Sequence, residues 1–196
     1  MSKHWGYAKH ATLVQVQALI KGLFCQKMQI KNLFFSGLEE REATIVGTEQ
    51  SSVHSWGNVQ SLASRLIDGK GLDGDWFNGD GCAATSDDAA PIEWFSLELQ
   101  VSQKITRVQI ANRLDHDEGR GQNIRITIGP SKVYDSNEPL CLPEIPELTK
   151  RPGLQDYFCS GDLHEGKFIK ISRPGQLNLC EVKIFTVPGS GKSIKY

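Results

Sequence analysis

The segment ITRVQIANRLDHDEGRGQNIRITIG (Ile105–Gly129) contains two apolar runs separated by a loop that is dense in charge. In ITRVQIAN, apolar and polar residues alternate, which is typical of a strand that buries one face. The loop carries two arginines seven positions apart, Arg113 and Arg120, with acidic residues between them. Because binding sites are usually built on loops at the ends of rigid strands, we treat this loop as a candidate site.

The chain on either side of this segment, from about Gly37 onward, also predicts an all-β protein. Short alternating or apolar runs, among them EATIVG, IEWFSLEL, KFIKIS and CEVKIFTV, are separated by turns rich in glycine, proline and aspartate. Short strands separated by such turns predict a β-sandwich or jelly roll. Only NVQSLASRLIDG offers a helical turn, which ends at its Asp-Gly pair.

The first residues of the chain differ from this pattern. HATLVQVQALIKGLFCQKMQIKNLFF mixes apolar and basic residues with little turn chemistry, and it predicts either a helix or a loosely ordered leader. Its most apolar part is a poor signal-peptide core, because two glutamines and a lysine interrupt it. We therefore divide the chain into an N-terminal extension or leader, residues 1–36, a β domain, residues 37–188, and a flexible tail, residues 189–196.

Composition limits the partners. The chain has 196 residues, 39% of them hydrophobic, which is enough to bury a normal core. The net charge of -1 gives no overall field that would attract nucleic acid or a membrane surface. The longest apolar runs fall far short of a membrane span. The sequence thus predicts a globular protein that binds no nucleic acid.

The five cysteines are scattered, at Cys25, Cys82, Cys141, Cys159 and Cys180. They form no C-x-x-C pair and show no Cys/His spacing typical of zinc sites. Two interpretations remain open on spacing alone. The five are all buried thiols, or they form two disulfides with one spare cysteine, which requires an oxidising compartment.

No pattern in the chain favours an enzyme. None of the five histidines sits beside a cysteine or serine in a known nucleophile context. The adjacent aspartates in TSDDAAP are better explained as solvated loop acids than as a catalytic pair. We therefore expect a protein that binds and does not catalyse.

Five pieces of the chain, taken in order, resemble the F-type lectin (fucolectin) family, a relative of the discoidin-like coagulation-factor C modules. They are RLIDGKGLDGDW, GCAATSDDAAPIEWFSLEL, VQIANRLDHDEGR, IRITIG and NLCEVKIF, and the resemblance covers roughly residues 40–187. The most specific piece is Arg-x-Asp followed by four residues and Arg, which is Arg113, Asp115 and Arg120 here. The resemblance implies a jelly-roll β-sandwich that binds fucose at one end.

In that family, the two arginines of this loop donate hydrogen bonds to sugar hydroxyls and to the ring oxygen. A guanidinium suits this task because it is a rigid fork of donors that does not deprotonate. Arg113 and Arg120 can converge only if the loop folds back on itself, and Asp115 is then expected to hold a guanidinium in place. The alternative is a solvated loop with surface ion pairs of little energetic value.

The chain departs from the family at the sugar site. The family's third sugar-binding residue, a histidine two positions after the first cysteine, is Ala84 here. The loss of one partner for a buried hydroxyl costs about 1–3 kcal/mol. The family often has two adjacent cysteines in the arginine loop, and here His116 and Asp117 take their places. His116 is a candidate for the lost imidazole; otherwise the sugar differs from fucose, or sugar binding is gone.

The resemblance also brings an aromatic-bearing loop to the same end of the sandwich. We expect His54 and Trp56, from SSVHSWGN, to line the rim of the pocket together with Phe77. An aromatic ring there would pack on the apolar edge of a sugar, while the arginines bind its hydroxyls.

The resemblance pairs four of the cysteines, Cys82 with Cys180 and Cys141 with Cys159. The first disulfide would tie the Asp-Gly loop to the last strand, and the second would close a short loop. Cys25 lies outside the resemblance and stays unpaired. Both disulfides imply a secreted, extracellular protein.

DGKGLDGDW matches the calcium loop of the family in spacing. The resemblance implies an oxygen-only shell, made of the backbone carbonyls of Lys70, Asp75, Gly81 and Cys180 and the carboxylates of Asp73 and Glu181. Such a ligand set suits a hard cation such as Ca²⁺. At Gly81 the family commonly has a serine, so a hydroxyl ligand is missing. The alternative is an acidic, glycine-rich turn that holds no metal.

The leading hypothesis is a secreted, calcium-stabilised lectin domain for fucosylated or related glycans. Because single shallow sugar sites bind weakly, homo-oligomers or tandem arrays would raise avidity. The alternative is a degenerate discoidin-like module that binds a protein or lipid headgroups through the same loops.

Overall fold

The computed structural model describes residues 39–75, 81–87, 90–115, 119–161 and 164–187. The described residues from Glu40 onward belong to one compact unit. The strands are β1 (Arg41–Glu42), β2 (Ile45–Gln50), β3 (Ser55–Trp56), β4 (Val59–Gln60), β5 (Ala83–Ala84), β6 (Ile92–Ala111), β7 (Gln122–Gly129), β8 (Ile145–Glu147), β9 (Gln155–Phe158), β10 (Glu165–Pro174), β11 (Asn178–Leu179) and β12 (Glu181–Val187). Two short 3-10 helices span Ala63–Ile67 and Gly71–Asp73. The all-β prediction is confirmed, and the predicted helical turn is the first of these 3-10 helices.

The long strand β6 organises the whole architecture. Its first half pairs with β2 and β10, and its second half pairs with β12 and β9, always antiparallel. β7 and β8 extend the first group beyond β10, and β1 extends the second beyond β12. IEWFSLEL and ITRVQIAN are therefore parts of one strand at the centre of a single continuous sheet, and exposed residues 100–102 lie between the two halves of that strand.

The second half of β6 contains a β-bulge, which interrupts the regular alternation of buried and exposed residues that the sequence predicted. Ile105 and Val108 are both fully buried although they lie three positions apart. Against β12, Ile105 faces Thr186 and Arg107 faces Phe185, so the register shifts and one residue of β6 is left over. A bulge of this kind re-aims the following side chains, and it keeps Val108 on the core side.

The main hydrophobic core is built on β6 and the strands beside it. Its members come from both halves of β6 and from their neighbours, and include Phe95, Leu97, Leu99, Val108, Ile110, Ile124, Ile126, Ile128, Ile169, Ile171, Val182 and Ile184. With these side chains packed inside the curled sheet, the polar loops gather at its ends, where they can form a binding site.

The other face of β10 holds a buried ion pair. Lys170 is fully buried and its Nζ contacts Glu138 Oε1, which comes from the loop after β7. Thr127 Oγ1 donates to the other carboxylate oxygen of Glu138 at 3.3 Å. A buried charge stays charged only with such a partner, so this pair fixes the loop over the sheet.

Both predicted disulfides are confirmed. Cys82 is bonded to Cys180, and Cys141 is bonded to Cys159. The reading of all five cysteines as thiols is therefore wrong. Cys25 lies outside the described residues, as do residues 1–36 and 189–196, so the proposed domain boundaries remain predictions. Among the residues that the structure describes, no helix is long and apolar enough to cross a membrane.

Candidate functional site

The arginine loop connects β6 to β7 and turns back on itself. The Gln122 amide donates to the Gly119 carbonyl at 3.1 Å, and Gly119 has a positive φ of 69° that favours glycine. Gly121 packs against the Asn112 side chain, and a Cβ there would lie only 3.1 Å from its amide oxygen. These contacts bring the two ends of the loop together and place Arg120 beside the strand end that carries Arg113.

The two arginines converge on the side chain of Asn178. With its amide oriented so that Nδ2 donates to the Leu177 carbonyl at 3.1 Å, Asn178 Oδ1 accepts from Arg113 Nη1 at 3.3 Å and from Arg120 Nη1 at 3.2 Å. Asn178 is 1% exposed, so its amide is a fixed anchor at the base of the loop. The structure thus brings together the two arginines that the sequence singled out.

Asp115 holds one of these guanidinium groups in the predicted way. Arg113 Nε donates to Asp115 Oδ1 at 2.7 Å, and Arg113 Nη2 donates to Oδ2 at 3.2 Å. Two parallel charge-assisted bonds fix the plane of the guanidinium. Arg113 is 9% exposed, so its orientation is set before any ligand arrives.

Ala84 lies next to this anchor. β5 and β11 form an antiparallel pair in which Ala84 is the direct partner of Asn178. Side chains of such partners point to the same face, with Cβ atoms about 4.5–5.5 Å apart. Ala84 is fully buried, so its methyl group lies under the site and does not reach outward.

His54 occupies the neighbouring position on the β3 loop. Its backbone amide donates to the Ala84 carbonyl at 3.0 Å. Its ring Nδ1 lies 3.2 Å from Gln176 Nε2, which also donates to the Thr85 carbonyl at 2.9 Å. Because Gln176 Nε2 is a donor, His54 Nδ1 accepts, and the neutral imidazole then carries its proton on Nε2.

The loop that carries His54 is fixed at its start by a buried acid. Glu93 is fully buried, and its Oε2 accepts from the hydroxyls of Ser51 and, at 2.7 Å, Ser52.

Beyond His54, the hairpin of β3 and β4 presents Trp56, 63% exposed, opposite Val59, 50% exposed. This hairpin offers an apolar rim. Phe77, His116 and Asp117 lie outside the described residues, so their predicted places at the rim and in the loop stay predictions.

Arg173 is a third arginine at this end of the molecule, and sequence reasoning missed it. Its Nε donates to the Gln122 carbonyl at 3.0 Å, and its Nη1 donates to the Gln176 carbonyl. Burial lowers the pKa of Arg173 below its ordinary value, and the nearby charge of Arg120 lowers it further. Arg173 is the last residue but one of β10, which ends at Pro174, and Asn178 lies in the segment that follows. No motif marks Arg173, whereas Asn178 begins the piece NLCEVKIF, from which only Cys180 and Glu181 were taken as site residues.

The predicted calcium loop closes around Gly71. A Cβ on Gly71 would lie 2.1 Å from the Gly81 carbonyl oxygen and 2.3 Å from that of Cys180, so only glycine fits there. A Cβ on Gly81 would lie 2.2 Å from the Asp75 carbonyl oxygen. Three of the predicted carbonyl ligands therefore gather in one small region.

Glu181 brings a carboxylate to the same strand end. It is 3% exposed, and its Oε2 accepts from the Gly69 amide at 3.0 Å. Burial raises the pKa of Glu181 to about 7, with this hydrogen bond acting in the opposite direction. A buried carboxylate beside backbone carbonyls fits a hard cation, which would supply the missing positive charge.

The remaining predicted ligands lie at the exposed side of the loop. Asp73 Oδ1 accepts from the Asp75 amide at 3.1 Å, and the Lys70 amide donates to Asp68 Oδ1 at 3.0 Å. No group of three or more histidine, cysteine or acidic side chains converges within the described ranges. A shell of two carboxylates completed by carbonyl oxygens is compatible with that finding.

Comparisons with known proteins agree on the fold. The structure of the fucolectin from striped bass (Morone saxatilis) serum matches with a TM-score of 0.54 and 22% identity, over 75% of this chain and 49% of that chain. A Streptococcus pneumoniae fucose-binding module matches with a TM-score of 0.54 and 26% identity, over 74% of this chain and 95% of that one. The lectin domain of lectinolysin, solved with Lewis b antigen, matches with a TM-score of 0.55 and 19% identity, over 71% and 92%.

The resemblance to F-type lectins is therefore confirmed at the level of the fold, a β-sandwich shared with carbohydrate-binding modules. The chain spans about half the length of the striped bass lectin. A scan against protein-family models and a search of curated proteins both found no match.

Proposed function

We propose that this chain is a non-catalytic carbohydrate-binding domain whose site is the arginine pair at the end of the sandwich, with fucosylated glycans as its first ligand class. The shared hydrogen bonding of Arg113 and Arg120 to one buried oxygen carries this proposal. Two rigid guanidinium forks held at one point suit vicinal sugar hydroxyls. A set of donors fixed beforehand loses little conformational entropy on binding.

The surrounding side chains complete the proposed pocket. The exposed ring of Trp56 would pack on the apolar edge of a sugar ring. His54, held by Gln176, would donate through Nε2 from beside Ala84, where this chain offers only a methyl group. This donor comes from a different loop than the one the family uses, so the hydroxyl that it reaches differs in position.

We further propose that Ca²⁺ is held by the loop around Gly71, through the carbonyls of Asp75, Gly81 and Cys180 and the carboxylate of Glu181, with Lys70 and Asp73 at its exposed side. The cation would supply charge compensation and a cross-link. The loop reaches the arginine site directly, because the Leu114 amide donates to the Gly74 carbonyl at 2.8 Å.

Addition of Ca²⁺ to chelated protein should raise the melting temperature, because a ligand that binds only the folded state stabilises it. An unchanged melt would contradict the metal site.

The setting that fits this function is extracellular. The two disulfides require an oxidising compartment to persist. A single shallow sugar site binds weakly, so we propose that homo-oligomers or tandem copies provide avidity at glycan-bearing surfaces.

The exposed hairpin favours a second candidate function. Trp56 and Val59 form an apolar tip next to the site, which would also suit a protein surface or the headgroup region of a lipid membrane. In that case the arginines would bind acidic groups of the partner and no free sugar.

A glycan array followed by calorimetry tests the proposal. We expect selective signals for fucosylated glycans, and Arg120→Ala should abolish them. Arg125→Ala is the matched control, since Arg125 follows buried Ile124 on β7 and faces the other side of the sheet. A well-folded parent protein that binds no glycan on the array would overturn the lectin proposal in favour of the second candidate.

A further inference from the structure

A small pocket lies on the outer face of the sheet, where β6 runs between β2 and β10. Strand pairing places Gly47 on one side of Glu98 and Phe168 on the other, so these three residues form one row across the strands. Ser96, two positions before Glu98, lies on the same face. Phe168 also pairs with Gly129, the last residue of β7, whereas the arginine loop precedes the first residue of that strand. The pocket is therefore separate from the proposed sugar site.

Two irregularities of strand pairing meet at Glu98. The register of β2 against β6 shifts just before Gly47, and the register of β10 against β6 shifts just before Phe168. Lys167 lies in the second shift, where its Nζ donates to Glu98 Oε1 at 2.7 Å and lies 5.8 Å from the centre of the Phe168 ring. β-bulges re-aim side chains and are over-represented beside functional sites. Here they bring a carboxylate, an ammonium group and an aromatic ring together around one hollow.

The charges around the pocket cancel in pairs. Glu98 is paired with Lys167 and Glu49 with Lys132, each at 2.7 Å. A carboxylate has about four acceptor positions and an ammonium group has three donors, so each pair keeps further hydrogen-bonding capacity. Acceptors and donors side by side, without an excess of either charge, suit neutral hydroxyl groups, which both donate and accept.

Ser96 adds a hydroxyl at the base of this pocket. Ser96 is 2% exposed, and its Oγ has no hydrogen-bond partner within the described part of the chain. A buried hydroxyl without a partner is unfavourable, so a ligand that bonds to it relieves a cost already present in the free protein. Gly47 carries no side chain, and a Cβ there would lie only 3.3 Å from Glu98 Oε2, so the space over this carboxylate stays open. The hollow measures about 80 Å³, which suits one edge of a sugar ring.

We propose that this pocket is a second carbohydrate site, which takes one neutral hexopyranose unit. The ring of Phe168 would pack on the apolar face of the sugar, while Ser96 and the two ion pairs bind its hydroxyls. The inference goes beyond the proposed function and does not rest on it, because the pocket shares no residue with the arginine site. Two sites on one chain would bind two sugar units at once, so a single domain would already gain avidity.

The test uses the full chain carrying Arg120→Ala, in which the arginine site is disabled and only the second site is measured. Methyl β-galactopyranoside, methyl β-glucopyranoside and methyl α-mannopyranoside are titrated separately, and binding is followed by the NMR shifts of backbone amides. We expect at least one of these sugars to move the signals of Glu98 and Phe168. The dissociation constant should be on the order of millimolar, because few contacts offset the entropy lost on binding.

Two variants in the same background separate binding from structure. Phe168→Ala should remove the shifts, because the sugar loses its apolar partner. Ser96→Ala should weaken binding about tenfold and leave the folding stability unchanged or higher, since the free protein has no hydrogen bond to lose there. Ser96→Ala also serves as the test if Phe168→Ala folds poorly. Phe158→Ala on β9, whose ring likewise lies 5.8 Å from a cation, Arg107, is the matched control and should not change binding.

The absence of shifts with all three sugars would overturn the second site. Shifts confined to the arginine loop, or shifts that persist unchanged in Phe168→Ala, would overturn it as well. None of these results bears on the arginine pair, which is tested separately with fucosylated glycans and the parent protein. Shifts that depend on Phe168 would in turn support the second site even if the parent protein bound no fucosylated glycan.

Discussion

Ala84 and Asn178 face each other across the β5–β11 pair, so the place where F-type lectins carry a histidine adjoins the residue that anchors both arginines. The departure from the family therefore lies inside the candidate site and not at its margin. His54 approaches the same point from the β3 loop, with its backbone bonded to the Ala84 carbonyl.

His54→Ala should weaken glycan binding about tenfold to a hundredfold, because a sugar hydroxyl would lose its partner at a cost of about 1–3 kcal/mol. Ala84→His should recover part of this loss in the His54→Ala background. In the parent background, the same change inserts a ring where Ala84 is fully buried, and it should cost about 1–3 kcal/mol of folding stability. Calorimetry and denaturant unfolding of the three variants measure both effects; an unchanged affinity of His54→Ala would exclude His54 from the site.

Asn178→Ala should reduce glycan binding about tenfold or more, because the two guanidinium groups would lose their common buried acceptor. Removing one partner of this network should also cost about 1–3 kcal/mol of folding stability. Asn137→Ala, in the exposed loop after β7, is the control. Binding titrations measure the glycan affinity, and urea unfolding measures the folding stability. An Asn178→Ala variant that binds glycan as tightly as the parent would show that Asn178 does not position the arginines.

Metal-free protein should lose stability as pH rises from about 4.5 to about 7, the interval between the ordinary and the raised pKa of Glu181. The folded state holds the proton more tightly than the unfolded state, so stability is greatest below this interval and falls as the buried carboxylate ionises. The total loss is on the order of 2–3 kcal/mol.

Urea unfolding in EDTA across this range, compared with Glu181→Gln, isolates the contribution of Glu181. The variant should lack this part of the decline, and saturating Ca²⁺ should remove it from the parent. Parallel pH profiles for parent and variant would show that the Glu181 carboxylate does not titrate in this range.

Lys170→Ala should destabilise the fold by about 3–5 kcal/mol, because it leaves the buried Glu138 carboxylate without its counter-charge. The double change Lys170→Met with Glu138→Leu should recover most of the loss. Lys132→Ala, which breaks the exposed pair with Glu49, should cost far less stability than Lys170→Ala, because water screens an exposed ion pair. Chemical denaturation measures the free energy of unfolding of each variant. An equal loss of stability in Lys170→Ala and Lys132→Ala would contradict the prediction that the buried ion pair matters more than the exposed one.

The features that sequence reasoning predicted are those encoded within short segments or shared with a known family. Strand alternation indicated an all-β fold, and the family resemblance implied that Arg113 and Arg120 converge through a loop that folds back. The disulfides followed from the family resemblance, since cysteine spacing alone left the pairing open. The continuity of β6 was missed because the polar residues at its centre resemble a turn.

Asn178 and Arg173 could not be found from the sequence because their roles come from long-range contacts. Asn178 is brought to the arginines by the pairing of β11 with β5, and Arg173 is brought there by the end of β10. Arg173 belongs to no local pattern, and although Asn178 begins the piece NLCEVKIF, nothing in that piece indicates a contact with the arginine loop.

Because a single strand, Ile92–Ala111, pairs with β2 and β10 along its first half and with β12 and β9 along its second, neither layer of the sandwich can be completed independently of the other. A break in the main chain near residues 100–102 would divide the central strand of both layers at once. The domain should therefore unfold in one cooperative transition, with no half-folded species that keeps one layer intact. The candidate site would then be present only in the fully folded domain, and a cleaved copy should lose it completely.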